Sequence, residues 1–279
     1  MVIPEKDIRI LVVGYKPFVN YVHNPAYTII TTGEKMESDL ETYYFDRRED
    51  GLDDRFFSEL YACKWARDNG IMGKKYTGVN HYRRHFKFMD DIPNLEDLLS
   101  RCEAITPKPT PLFYTIEDQY RKCHNIDDFN TCRDVIEEKF PEYLAAFDKF
   151  AHQHKMIRCN MSVMKTPMFI KWIDFVFGVL DGLLDKTGRD IYHHIRENDD
   201  KYIKKFPPND QFDYQYRFGG YLGERLTNVF ILKEFKNVCL MPVVRTEDKY
   251  AFEKLSTMRQ AARRKKQLEE LAQNSSSGS

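Results

Sequence analysis

An α/β fold built on a mainly parallel, Rossmann-type sheet flanked by helices is the class this sequence predicts. Short apolar, β-branched runs recur through the N-terminal part of the chain, and stretches of helical spacing separate them. Parallel strands need such crossover helices, and the helices then cover both sheet faces. The length of 279 residues suits one sizeable α/β domain or two small ones.

The elements follow in order. Ile8 to Gly14 reads as a buried first strand running into a loop, and Tyr27 to Thr32 as a second. From Arg55 to Asn69 the apolar positions Phe56, Leu60, Cys63 and Ala66 keep helical spacing, with Gly70 at the C′ position. Tyr76 to Asn80 is a third strand, Pro93 opens a short helix, and Glu103 to Pro107 is a further strand. Residues 116–150 read as charged helix, with Pro141 marking a helix start. Lys155 to Met164 has a strand pattern; Thr166 as N-cap and Pro167 at N1 then open a long apolar helix to about Leu184. Residues 185–210 are polar and read as a loop, Tyr216 to Leu226 enters a helix, and Val238 to Val244 is the last strand.

This organisation gives one domain over residues 1–250, a basic helical segment over 251–274, and a linker or added tail over 275–279. The basic segment is a plain solvated helix or a contact for an anionic membrane or a partner synthase. Lys plus Arg number 43 and Asp plus Glu number 43, so no global field draws nucleic acid, and any anion site must be local. Six cysteines lack CxxC or other metal-like spacing, which predicts free thiols in a reducing cytoplasm. The N-terminus does not read as a signal peptide, and Phe169 to Leu184 is interrupted by Lys171, Asp174 and Asp181. These patterns predict a soluble cytoplasmic protein, or one peripheral at the inner face of the membrane.

The most informative segment is Tyr76 to Phe86. An apolar strand ends in Asn80, His81, Tyr82, Arg83, Arg84 and His85. The carboxyl ends of parallel strands open into the ligand crevice of such folds. Cations placed there are costly to desolvate unless an anion binds them, and guanidinium groups match phosphate oxygens bidentately. An arginine-rich turn paired with acidic residues is the competing reading. His81 and His85 do not share a helix face, which argues against zinc, and His193–His194 has no carboxylate partner at useful spacing. No GxxxxGK[ST], GxSxG or GxGxxG is present, so ATPase, serine hydrolase and dehydrogenase readings lose their usual support.

Five motifs in order carry a resemblance: Tyr15-Lys16-Pro17, Ser58-Glu59-Leu60, Gly78 to Phe86, Asn160-Met161, and Arg217 to Leu226. Over roughly residues 7 to 245 the chain resembles the bacterial polysaccharide-biosynthesis family once catalogued as a domain of unknown function. That family's characterised members are galactofuranosyltransferases of O-antigen and capsule assembly. The resemblance implies a GT-A-like glycosyltransferase, inverting, with UDP-galactofuranose as donor and a polysaccharide or lipid-linked glycan as acceptor. On it, Tyr15, Lys16, Asn80, His81, Arg83, Arg84, Asn160, Met161, Arg217 and Gly220 become donor-binding candidates. Met161 is otherwise a core residue.

Most GT-A enzymes hold a divalent cation on an Asp-x-Asp at the end of a central strand. Here that strand end carries Asn80-His81-Tyr82-Arg83, so arginine neutralisation of the leaving UDP without a metal is expected. Asp90–Asp91 keeps a manganese- or magnesium-dependent UDP-pyranose alternative open, or else flanks a helix. An inverting transfer needs a general base, for which Glu224 and Asp210 are the candidates. Glu224 competes with a buried ion pair to Arg217 or Arg225. Glu59 and Arg225 are expected behind the donor residues, Glu59 orienting Arg83 or Arg84 or else lying on a solvated helix face. A non-catalytic glycan-binding or scaffold module of a larger synthase is the reading from a different class.

Overall fold

The structure, a computed structural model, describes residues 3–15, 17–32, 34–45, 54–201 and 214–245. In chain order the strands begin with β1 (Ile8–Gly14), β2 (Tyr27–Thr31), β3 (Thr42–Tyr44), β4 (Tyr76–His81) and β5 (Arg84–Phe86). They continue with β6 (Ala104–Pro107), β7 (Thr110–Pro111), β8 (Lys155–Met156), β9 (Ser162–Lys165), β10 (Val238–Met241) and β11 (Val243–Arg245). The helices are α1 (Asp54–Phe57), α2 (Glu59–Asp68), α3 (Ile92–Arg101), α4 (Ile116–Arg121) and α5 (Ile126–Lys139). After them come α6 (Leu144–Ala151), α7 (Thr166–Thr187), α8 (Ile191–Glu197) and α9 (Phe218–Glu234).

Every residue of β1 and β2 is buried, as the unbroken apolar runs require of strands covered on both faces. The main sheet runs β10-β6-β9-β4-β1-β2-β3. β1 pairs in parallel with β2 and β4, and β2 with β3. β9 alone on this path runs against its neighbours β4 and β6. The predicted α/β class with a mostly parallel sheet is therefore the observed one. One face packs Leu11, Val13, Val79 and Met164 against α2, α5, α7 and α9; the other packs Ile10, Val12, Ile29 and Val163 against Leu95 and Leu99 of α3. Arg9 lies buried in β1 because Thr28, Glu41 and the Pro4 carbonyl accept from its guanidinium at 2.8, 2.7 and 2.6 Å. α7 buries Phe169, Trp172, Phe175 and Leu180, and no helix of the described residues is long and apolar enough to cross a membrane.

Five predicted elements take a different form. The Arg55–Asn69 helix breaks at Ser58, whose φ of 51° and ψ of −138° separate α1 from α2. The break lets Phe56 and Phe57 both bury, edge-on to Phe218 and stacked on Phe177. Gly70 does take the left-handed φ of +70° after α2. The strand expected over 155–164 is two strands, parted by a turn in which Cys159 and Asn160 hold φ of 62° and 50°. Thr166 is not an N-cap: it is the first helical residue, and its hydroxyl donates to the Gly73 carbonyl at 2.6 Å. The polar stretch after residue 185 contains α8, capped by Asp190 on the His193 N–H. Pro242, which has no N–H for the ladder, divides the last strand, so β10 joins β6 while β11 joins β5.

Candidate active site

Because β9 runs antiparallel to β4 with Val79 opposite Ser162, the turn before β9 meets the carboxyl end of β4. Asn160 and Met161 thereby come beside Asn80 and His81. β4 itself reverses at Tyr82–Arg83, pairing His81 with Arg84 at the start of β5. The carboxyl edge of the sheet thus gathers residues from β4, β5 and the 158–161 turn, and the amino ends of α2 and α9 close over it.

The dominant feature of this edge is positive charge. The Arg83 backbone N–H donates to His81 Nδ1 at 3.1 Å, which leaves the proton of a neutral imidazole on Nε2. Burial, followed by the charges of Arg84, Arg83 and Arg217, holds the His81 pKa down to about 3. Guanidinium groups from β5, the hairpin turn and the start of α9 therefore all act electrostatically on this ring. Arg83 is exposed and lies over the Tyr82 ring at 5.1 Å. Arg84 donates to the Cys159 sulfur, and Arg217 to Ser58 Oγ at 3.3 Å. The left-handed Ser58 holds its hydroxyl there because α9 approaches closely: a Cβ on Gly220 would stand 2.4 Å from that oxygen.

Two carboxylates brace the 158–161 turn from behind. Glu224 accepts the Cys159 N–H at 2.7 Å, and Glu59 accepts the Asn160 side-chain amide at 3.0 Å. Burial, followed by the Glu59 charge, raises the Glu224 pKa above the usual glutamate value. Thr227 donates to the Asn160 Oδ1 at 2.6 Å and accepts from Trp172 Nε1 at 3.0 Å. Such bonds hold two consecutive non-glycine residues in the left-handed region. Thr227→Val keeps the shape but strands a buried amide oxygen and an indole N–H, so urea unfolding should show a loss of about 2 kcal/mol. Thr227→Ser should restore most of it; equal stabilities for the three proteins would contradict this account.

Lys16 and Asp210 lie outside the described residues, as do residues 251–279. Tyr15 is exposed and stands edge-on to Tyr82 at 5.7 Å, beside the cation cluster. Met161 is 1% exposed and takes the core reading. Glu59 reaches Asn160 rather than an arginine, so its expected pairing with Arg83 or Arg84 is replaced by support of the turn. Arg225 is buried and points away from the edge, donating to the Tyr221 carbonyl at 2.6 Å and to Gln119, over the Tyr120 ring. It ties α4 to α9. Asn80 is fully buried with its amide 3.3 Å from His85 Nδ1. Asp90 accepts the His23 and Asn24 N–H groups at 2.8 Å each, and Asp91 caps α3. His194 does have a carboxylate partner, Asp128 at 2.8 Å, which no sequence spacing announced because they stand 66 residues apart. The sequence singles out neither Thr227 nor Trp172, since single hydrogen-bonding groups in apolar helices carry no local pattern, and it marks Ser58 only within the Ser58-Glu59-Leu60 motif.

The family model described as "Domain of unknown function (DUF4422)" matches residues 9–236. The chain belongs to this family. Among solved structures, this DUF4422 chain is similar to the apo structure of the WbbM bifunctional glycosyltransferase, with a TM-score of 0.65 and 19% sequence identity. The likeness covers 87% of this chain and 46% of that one, so the chain spans less than half of WbbM. It shows the DUF4422 fold to be GT-A-like. No curated protein matches the chain.

Proposed function

We propose that this DUF4422 domain is a glycosyltransferase that holds the diphosphate of a nucleotide-sugar on Arg83, Arg84 and Arg217. The observation that carries the reading is the gathering of three cations at the carboxyl end of β4: Arg84 opposite His81, Arg83 in the turn between them, and Arg217 bonded to Ser58, next to the Glu59 that reaches the 158–161 turn. A leaving nucleoside diphosphate develops negative charge as the glycosidic bond breaks, and preorganised guanidinium groups stabilise it most in the transition state. The neutral His81 adds an N–H donor. Among the described residues this edge does not suit a divalent cation: Asp90 and Asp91 are engaged by backbone N–H groups and a helix cap, and three guanidiniums would repel it. The reading is therefore of metal-independent transfer.

The finer reading follows the sequence resemblance. The donor is UDP-galactofuranose, transfer proceeds with inversion, and the acceptor is a bacterial surface polysaccharide or its lipid-linked precursor. Glu224 and Asp210 remain the candidate bases: Glu224 is partly exposed, accepts the Cys159 N–H through one oxygen, and has its proton affinity raised by burial and the Glu59 charge, while Asp210 lies outside the described residues. The likeness to part of a bifunctional enzyme also suits a module working beside a second domain. A thermal-shift panel of nucleotides, with and without manganese, tests donor class and metal dependence together. A shift specific to UDP and unchanged by EDTA is expected. A shift that needs manganese would reject metal independence, and no shift with any nucleotide would reject the transferase reading.

A further inference from the structure

Phe113 is the most exposed large apolar side chain described, at 88%, and its neighbour Tyr114 is 42% exposed. The two rings meet edge-to-face at 5.0 Å, and the Lys122 ammonium stands 4.6 Å over Tyr114. Exposed Lys108 and Thr110 lie on the same short excursion. Isolated rings in a polar setting are too small a patch for a stable protein interface.

Their position in the fold gives them a use. β6 and β4 both run opposite to β9, so the chain leaves β6 at Pro107 on the same sheet edge that carries the arginines. It forms β7, which pairs with β8, and β8 leads directly into the 158–161 turn. The ribbon is pinned at both sides of the aromatic pair, with the Leu112 N–H on the His154 carbonyl at 2.7 Å and the Ile116 N–H on that of Gln153 at 2.9 Å. α4 follows at once, and its Gln119 and Tyr120 hold Arg225 of α9. The two rings thus stand on a hydrogen-bonded excursion joined through β8 to the 158–161 turn and through α4 to α9. A sugar ring offers an apolar C–H face and a border of hydroxyls, which fits an aromatic face flanked by lysine and threonine donors.

We propose that Phe113 and Tyr114 form a stacking platform for the acceptor glycan at the mouth of the site. This rests on the transferase reading, and the test separates the two. An array of bacterial oligosaccharides is probed with wild type, Phe113→Ala and Phe113→Trp, while UDP binding and UDP release from UDP-galactofuranose are followed in parallel. Phe113→Ala should weaken glycan binding on the order of tenfold and Phe113→Trp should keep it. UDP binding and acceptor-free UDP release should not change. Equal glycan binding by wild type and Phe113→Ala would overturn the platform, as would a wild type that binds UDP but no glycan. Loss of retention on phosphatidylglycerol vesicles, with glycan binding intact, would overturn it in favour of a membrane contact. Glycan binding that depends on Phe113 in a protein that binds no nucleotide would keep the platform and reject the transferase.

Discussion

Arg83→Ala is expected, under the proposed function, to lower kcat/KM for transfer from UDP-galactofuranose by about 100- to 1000-fold, the effect of removing one preorganised donor from a developing anion. Arg83 is exposed and its side chain lies over the Tyr82 ring, so the melting temperature should stay within about 2 °C of wild type. The loss should fall mainly on kcat, because the diphosphate carries more charge in the transition state than in the bound donor. Arg83→Lys should recover only part of it, since an ammonium cannot make the bidentate contact. Arg217→Ala should act in the same direction. The double variant should lose less than the product of the two single effects, because both cations serve one anion. A kcat/KM for Arg83→Ala within about threefold of wild type would remove the diphosphate clamp from the mechanism.

Acid should destabilise the protein well before its carboxylates titrate. Burial holds His85 down to about 4, and burial with three arginine charges holds His81 down to about 3, against 6.5 for an ordinary histidine. Below pH 6.5 the unfolded chain takes up protons that the native state refuses. Their contribution is therefore complete above pH 6.5 and is lost as pH falls toward 3, by up to about 1.4 kcal/mol per pH unit for each residue. Glu224 works in the opposite sense: its raised pKa favours the native state most at low pH, and that favour fades as pH rises. Urea unfolding at pH 5 and pH 7 should show the decline, and His81→Asn should make it shallower. A UDP-hexose, whose diphosphate keeps its charge across this range, should flatten the slope further by neutralising the arginines that oppose protonation of His81. Equal urea midpoints at the two pH values in wild type would show that neither histidine resists protonation.

The main sheet was legible because fully buried parallel strands leave a plain trace, an apolar run too short for a helix. Ile8 to Gly14, Tyr27 to Thr31 and Tyr76 to His81 all fall where such runs lie. The failures share a cause. Ser58, Cys159 and Asn160 adopt left-handed backbones that only distant partners enforce, so a helix and a strand that look continuous in sequence are both broken. Pro242 was visible, but that it would send the chain to a second partner strand was not.

For the site, the run Asn80 to Arg84 stands out locally, by unusual charge after apolar residues, whereas the segment Arg217 to Glu224 stands out through the family resemblance. Residue patterns alone thus placed Arg83 and Arg84 at the end of a strand and Glu224 in a helix. Only the antiparallel course of β9 brought the 158–161 turn against them, and only packing decided which polar groups serve the edge and which brace it. Met161 went into the core, Arg225 turned to α4, and Glu59 took Asn160 instead of an arginine. Periodicity follows from the geometry of one element, whereas a partner is set by the crossing of several, through contacts that lie dozens of residues apart in the chain.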